Sequence, residues 1–90
     1  MRELSECRRE IDRIDSEIQR LFEERMRVVA DVADYKKAHN LPVNDPVREQ
    51  ARIEALRAGA ADESLADGIE AVYRTIFDVS KDRETVRIEA

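Results

Sequence analysis

The chain reads as an all-α protein of three helices, the first of them very long. Three observations point there. From Leu4 onward a core-type position recurs at alternating steps of three and four: Leu4, Cys7, Ile11, Ile14, Ile18, Leu21, Arg25, Val28, Val32 and Tyr35. That is the a/d seam of a helix, unbroken for ten positions. Charged residues make up 41% and aromatics 4%, so the β-branched and aromatic runs of a sheet are missing. Two glycines and two prolines leave little to interrupt a long helix.

The first helix is expected from about Leu4 to His39, with Asn40 as a left-handed cap and Pro42 forbidding continuation. At 1.5 Å per residue it extends about 54 Å, whereas a compact globule of this mass is about 30 Å across. The apolar stripe therefore outruns any core its own chain can build, and a second copy in a two-fold dimer is the economical cover. The segment Leu41-Pro42-Val43-Asn44 is short and extended. Asp45 then caps a second helix with Pro46 at its first position, carrying Val47, Ile53 and Leu56 and stopping near Gly59. Ala60 to Ser64 make a turn, and either Asp62 or Ser64 caps the third helix. Its stripe is Leu65, Ile69, Val72, Ile76 and Val79, and it is expected to fray after Thr85. Ninety residues amount to one domain, 1–90, and a monomer of that size buries only about 60–65% of its unfolded surface.

The net charge of −5 leaves no dominant basic face, which argues against a nucleic-acid or anionic-membrane partner. No apolar stretch approaches the roughly 20 residues of a membrane span. The opening Met1-Arg2-Glu3-Leu4-Ser5-Glu6 lacks the apolar core of a signal peptide. Cys7 is the sole cysteine and falls on the seam, as a small buried hydrophobe would in a reduced, cytoplasmic protein. With His39 the only histidine and no Cys/His cluster, no metal site is expected. There is no glycine-rich phosphate loop and no nucleophilic triad.

One member of the seam is an arginine. A guanidinium cannot shed its proton, and leaving it buried and unpaired costs roughly 3–5 kcal/mol. Arg25 therefore needs a carboxylate of this protein or an anionic ligand. Lys36 lies eleven residues on, within about 20° of the same face and ~16 Å further along. The two could grip a small anion, although Lys36 taken alone also suits a solvated helix end. Arg8 sits ~25 Å before Arg25 along the axis, so it reaches the same site only from the partner chain of an antiparallel dimer. Its plainer reading is a surface arginine near Glu10 and Asp12. Ser80 and Glu84 prolong the third helix's apolar stripe where apolar residues would be expected, unless the end is frayed or Glu84 pairs with Lys81 or Arg87. Asp45, Arg48 and Glu49 crowd the first turn of the second helix; the acids suit that position, while Arg48 does not and calls for an anionic partner.

Taken in order, these residues resemble the all-α chorismate mutases, the AroQ class. The segments are Arg8-x-x-Ile11-x-x-Ile14-Asp15, Leu21-x-x-x-Arg25, Lys36, Pro42-Val43-x-Asp45-Pro46-x-Arg48-Glu49, and Ile76-x-x-x-Ser80-x-x-x-Glu84. The likeness covers nearly the whole chain. It implies an intertwined homodimer with two equivalent sites, each taking one arginine from the other chain's long helix. It further implies a cofactor-free [3,3]-sigmatropic rearrangement of chorismate to prephenate, in phenylalanine and tyrosine biosynthesis. Carried over residue by residue, Arg25 and the partner chain's Arg8 would clamp the substrate's two carboxylates. Lys36 would donate to the ether oxygen, and Arg48 would complete the cationic wall. Asp45, chiefly through its backbone, and Glu49 would hold the ring hydroxyl, and Ser80 would line the carboxylate end. Glu84 would be the second partner of the ether oxygen, a place where the family carries Gln or Glu. A carboxylate cannot donate there but a carboxylic acid can; burial favours the acid and a nearby Lys36 the carboxylate.

Two rival readings share these residues. An isochorismate-pyruvate lyase uses the same fold and similar clamps, but Asp45 and Glu49 suit the mutase's hydroxyl end. A non-catalytic helical dimerisation module would instead have Arg25, Lys36 and Arg48 neutralised by internal salt bridges.

Overall fold

The structure, a computed structural model, describes residues 1–90. The first helix, α1, spans Leu4–His39. It ends where Asn40 enters the left-handed region (φ 54°, ψ 41°), a conformation asparagine tolerates, and there its N–H reaches the Lys36 and Lys37 carbonyls. The second helix, α2, spans Pro46–Ala58. The Asp45 side chain caps it by accepting the Arg48 N–H at 3.1 Å, and Pro46 occupies the position where a missing N–H costs nothing. Asp62, rather than Ser64, supplies the next cap: its carboxylate accepts from the Ser64 N–H at 2.9 Å and hydroxyl at 2.6 Å. That closes a short 3-10 turn, Glu63–Leu65, which feeds the third helix, α3, Ala66–Glu89. There is no strand, and no helix is long and apolar enough to cross a membrane.

Two expectations about α3 require correction. It does not fray after Thr85. Arg87 forks onto Asp34 of α1 at 2.7 and 2.9 Å, and Lys37 donates to the Ala90 carbonyl at 3.3 Å, so the last turn is tied down from outside. Nor is its packed face centred on the expected stripe. Leu65 and Val72 of that stripe are exposed and Ile69, Ile76 and Val79 half-buried; Ser80 and Glu84, which prolong it, are buried, as are Ala66 and Phe77 beside it. The inward face is rotated because α3 must meet α1 and α2 together, and Phe77 fills more of that wedge than the smaller Val72 would. On α2, likewise, Ile53 is buried completely while Val47 stands exposed.

The pairings define the topology. Arg25 meets Ser80 and Asp34 meets Arg87, so α1 and α3 run in the same direction. Glu49 meets Lys81 and Arg57 meets Glu70 and Asp67, so α2 runs back along α3. The result is a flat rod of 56 × 26 × 14 Å. Only Met26, Ala33, Ile53, Ala66 and Phe77 form a buried apolar core, which leaves the heptad seam of α1 uncovered. Ile11, Ile14, Ile18, Leu21, Val28, Val32 and Tyr35 are all exposed, most by more than half. The face of α1 that packs within the chain is a different one, running through Phe22, Met26, Val29, Ala33 and Lys36.

Candidate active site

Where α1, α2 and α3 converge, they enclose a cavity of about 270 Å³, near the lower end of the ~300–1,000 Å³ usual for small-molecule sites. Arg25, Lys36, Asp45, Arg48, Glu49, Ser80 and Glu84 all line it. Each element delivers its share for a local reason. Arg25 and Lys36 come from the packed half of α1, Asp45 to Glu49 from the capped first turn of α2, and Ser80 and Glu84 from the inward face of α3. Arg8 stands apart: it is exposed, far along α1, and does not line this cavity.

Arg25 has no carboxylate partner. Its Nη1 donates to the Ser80 hydroxyl at 2.6 Å, and the guanidinium carbon lies 5.7 Å from the centre of the Phe77 ring. Ser80 in turn donates to the Ile76 carbonyl at 2.7 Å, so its hydroxyl proton is committed and its lone pairs face the guanidinium. This orients the cation without neutralising it. Arg48 makes no ion pair either.

Lys36 and Glu84 form the one ion contact deep in the site. The Lys36 ammonium donates to the Val43 carbonyl at 2.9 Å and approaches Glu84 Oε1 to 2.8 Å. Glu84 is 6% exposed, so this end of the cavity is nearly dry. The approach is close but misaligned: no donor reaches Glu84 Oε1 with hydrogen-bond geometry, leaving a buried carboxylate oxygen without its bond. The oxygen still lies 2.8 Å from the Lys36 ammonium, so its charge is compensated although its hydrogen bond is not aligned. The frayed end considered for Ser80 and Glu84 is excluded by their burial. Glu84 does not pair with Lys81 or Arg87 because Glu49 and Asp34 hold those two. Of the three cations that a non-catalytic module would neutralise, only Lys36 meets a carboxylate.

Two cationic wall residues escaped sequence reasoning, Arg52 and Lys81. Arg52 follows Arg48 by one helical turn, a spacing that places both on one face of α2. Lys81 is paired with Glu49 at 3.0 Å. That pairing, with a smaller contribution from Asp78, holds the Lys81 ammonium above the ordinary lysine range. Five cationic and three acidic side chains thus line the cavity, a local excess of two positive charges in a chain whose net charge is −5. The arrangement suits a small dianion. A second hollow, of about 420 Å³ between α1 and the end of α3, is lined mainly by Met26, Val29, Ala30 and Val86 and has no comparable convergence of charge.

Comparison with known proteins gives the same direction. The chain is 45% identical over 56 residues to the bifunctional chorismate mutase/prephenate dehydratase of Aquifex aeolicus, a match covering 62% of this chain and 16% of that protein. It is 40% identical over 75 residues to the T-protein of Haemophilus influenzae, covering 82% of this chain and 20% of that one. The chorismate mutase of Methanocaldococcus jannaschii is 35% identical over 66 residues, covering 73% of this chain and 67% of that protein. The chain therefore corresponds to a small part of the first two proteins and about two thirds of the third. The family model described as chorismate mutase type II matches residues 7–85, from the second position of the α1 seam past Glu84, and the chain belongs to that family.

Proposed function

We propose that this chain is a chorismate mutase, a cofactor-free isomerase that converts chorismate to prephenate, with residues 1–90 acting as one mutase domain. The observation that carries the reading is the un-neutralised Arg25 in a cavity with two excess positive charges. Chorismate carries two carboxylates on a flexible frame, and its rearrangement needs a compact chair-like geometry. Arginine forks select that conformer by bidentate contact, which converts binding into orientation. Arg25 takes one carboxylate, with Ser80 fixing its aim. Arg48 extends the cationic wall. Asp45 and Glu49 receive the ring hydroxyl.

As the C–O bond breaks, negative charge grows on the ether oxygen. Lys36, held by the Val43 carbonyl, is the donor placed for that charge, and its preorganised ammonium stabilises the transition state more than the ground state. Glu84 is the second partner of that oxygen.

The second carboxylate needs one more clamp. The exposed seam of α1 supports a two-fold homodimer, in which the partner's long helix covers Ile11, Ile14, Ile18 and Leu21 and brings Arg8 to the opposite chain's site. Cytoplasmic biosynthesis of phenylalanine and tyrosine is the setting this chemistry fits, and an unpaired cysteine agrees with it. The test is a depletion assay with chorismate and, separately, isochorismate. Prephenate from chorismate supports the proposal; pyruvate released from isochorismate, with chorismate untouched, would assign the lyase reaction instead.

A further inference from the structure

We propose that Lys81 is a positioning residue for the hydroxyl-binding end of the site: it pins the Glu49 carboxylate so that Glu49 accepts from the substrate's ring hydroxyl rather than folding back onto the arginines of its own helix. This rests on the chorismate mutase reading above. Glu49 sits on α2 and Lys81 on α3, and their 3.0 Å contact joins the two helices across the cavity wall. Both side chains are largely enclosed, at 29% and 22% exposure, unlike Asp78, the other carboxylate near Lys81, which is 75% exposed and 3.7 Å away. The ammonium is therefore committed to Glu49. No other donor of the chain reaches Glu49: Lys81 takes Oε1 and leaves Oε2 as an acceptor for a ligand.

The alternative for Glu49 is on the page. Arg52 lies three residues on along α2, carries no carboxylate partner and lines the same cavity. Residues at that spacing are neighbours on a helix surface. Without Lys81, Glu49 would turn to Arg52, which would remove the hydroxyl acceptor and cancel one of the wall's free cations together. A single side chain thus keeps an anion and a cation of one helix apart, where both serve the substrate.

The experiment compares Lys81→Met, Lys81→Arg, Glu49→Gln and the Lys81→Met/Glu49→Gln double variant. Steady-state kinetics are measured with chorismate and with an analogue lacking the ring hydroxyl, and melting temperatures confirm the fold. With chorismate, Lys81→Met should lose about tenfold in kcat/KM, chiefly as a rise in KM, because a hydroxyl bond is held equally in ground and transition states. Lys81→Arg should recover most of that loss. With the hydroxyl-free analogue, Lys81→Met should behave like the parent chain. The double variant should be no worse than Glu49→Gln, since both act through one carboxylate. Equal losses on both substrates, additive losses, or an unchanged Lys81→Met would overturn the proposal while leaving the mutase reading standing. A parent chain that leaves chorismate unchanged would overturn both.

Discussion

Before Arg25, every side-chain bond on α1 is to a neighbour within four positions of itself. From Arg25 on, the same helix reaches Ser80, Val43, Ala90 and Arg87. The two halves share one heptad pattern and differ in what they touch. Residues 11–20 are exposed without exception, although three of them are isoleucines, whereas Met26 and Ala33 in the second half are buried. The second half carries two stripes: the seam, whose apolar members are exposed while Arg25 turns into the cavity, and the Phe22–Met26–Val29–Ala33–Lys36 face, which packs on α3 and frames the cavity. The first half has only the seam. A helix that continues for about 25 Å beyond its own core makes physical sense if that overhang serves another copy. The cavity's un-neutralised guanidinium sits where overhang and core meet, at Arg25.

The contrast breaks most decisively at the overhang. Ile14→Asp places a charge on the exposed seam, ~16 Å before Arg25 along the helix axis and outside the cavity lining. The account expects a monomer in sedimentation or light scattering and loss of essentially all activity; a stable, active monomer would show that the overhang is dispensable. Next in size is the core half. Lys36→Ala should lower kcat by about two to three orders of magnitude while the dimer persists, because it removes the donor to the breaking bond. Near-normal kcat would remove Lys36 from the mechanism. Arg25→Ala should likewise cripple turnover without unfolding the chain, which circular dichroism alongside the kinetics will report.

A smaller effect sharpens the role of Glu84. Glu84→Gln, which always donates, should keep most of kcat, whereas Glu84→Ala should lower it by about tenfold to a hundredfold. An Ala variant as active as the parent would contradict the assignment. Smallest of all is the strap that ends α3. Arg87 holds the Asp34 carboxyl below the usual aspartate range, so the stabilisation from this pair is complete above the ordinary aspartate pKa and fades as pH falls through the lowered one. Both side chains are about half exposed, so the effect is modest and screened by salt. Asp34→Asn should lower the melting temperature slightly at neutral pH and leave kcat intact. A melting temperature that is unchanged would return the last turn of α3 to a frayed end.

Helix boundaries were legible because the signals are local: Asn40 turns left-handed, Asp45 and Pro46 open α2, and Gly59 follows its end. Most of the cavity wall was legible too, because polar groups at Arg25, Ser80 and Glu84 occupy positions where helical period calls for apolar ones. What could not be read locally depends on partners distant in sequence. Arg87 meets Asp34 across 53 positions, so the true end of α3 was hidden. Phe77, not Val72, faces inward because three helices share one wedge, and period alone does not choose between adjacent stripes. Arg52 and Lys81 carry no local mark of a site, and only the meeting of α2 with α3 brings them to it.

The central claim is that each site is completed across two chains, and mixing two defective chains tests it most directly. Arg8→Ala and Lys36→Ala should each be nearly inactive alone. After co-refolding in equal amounts, half the dimers are mixed, and each mixed dimer holds one site with both Lys36 and the partner's Arg8 intact, so about a quarter of parental activity should return. No recovery, or full activity in Arg8→Ala by itself, would mean that the cavity between these three helices works without the partner's arginine.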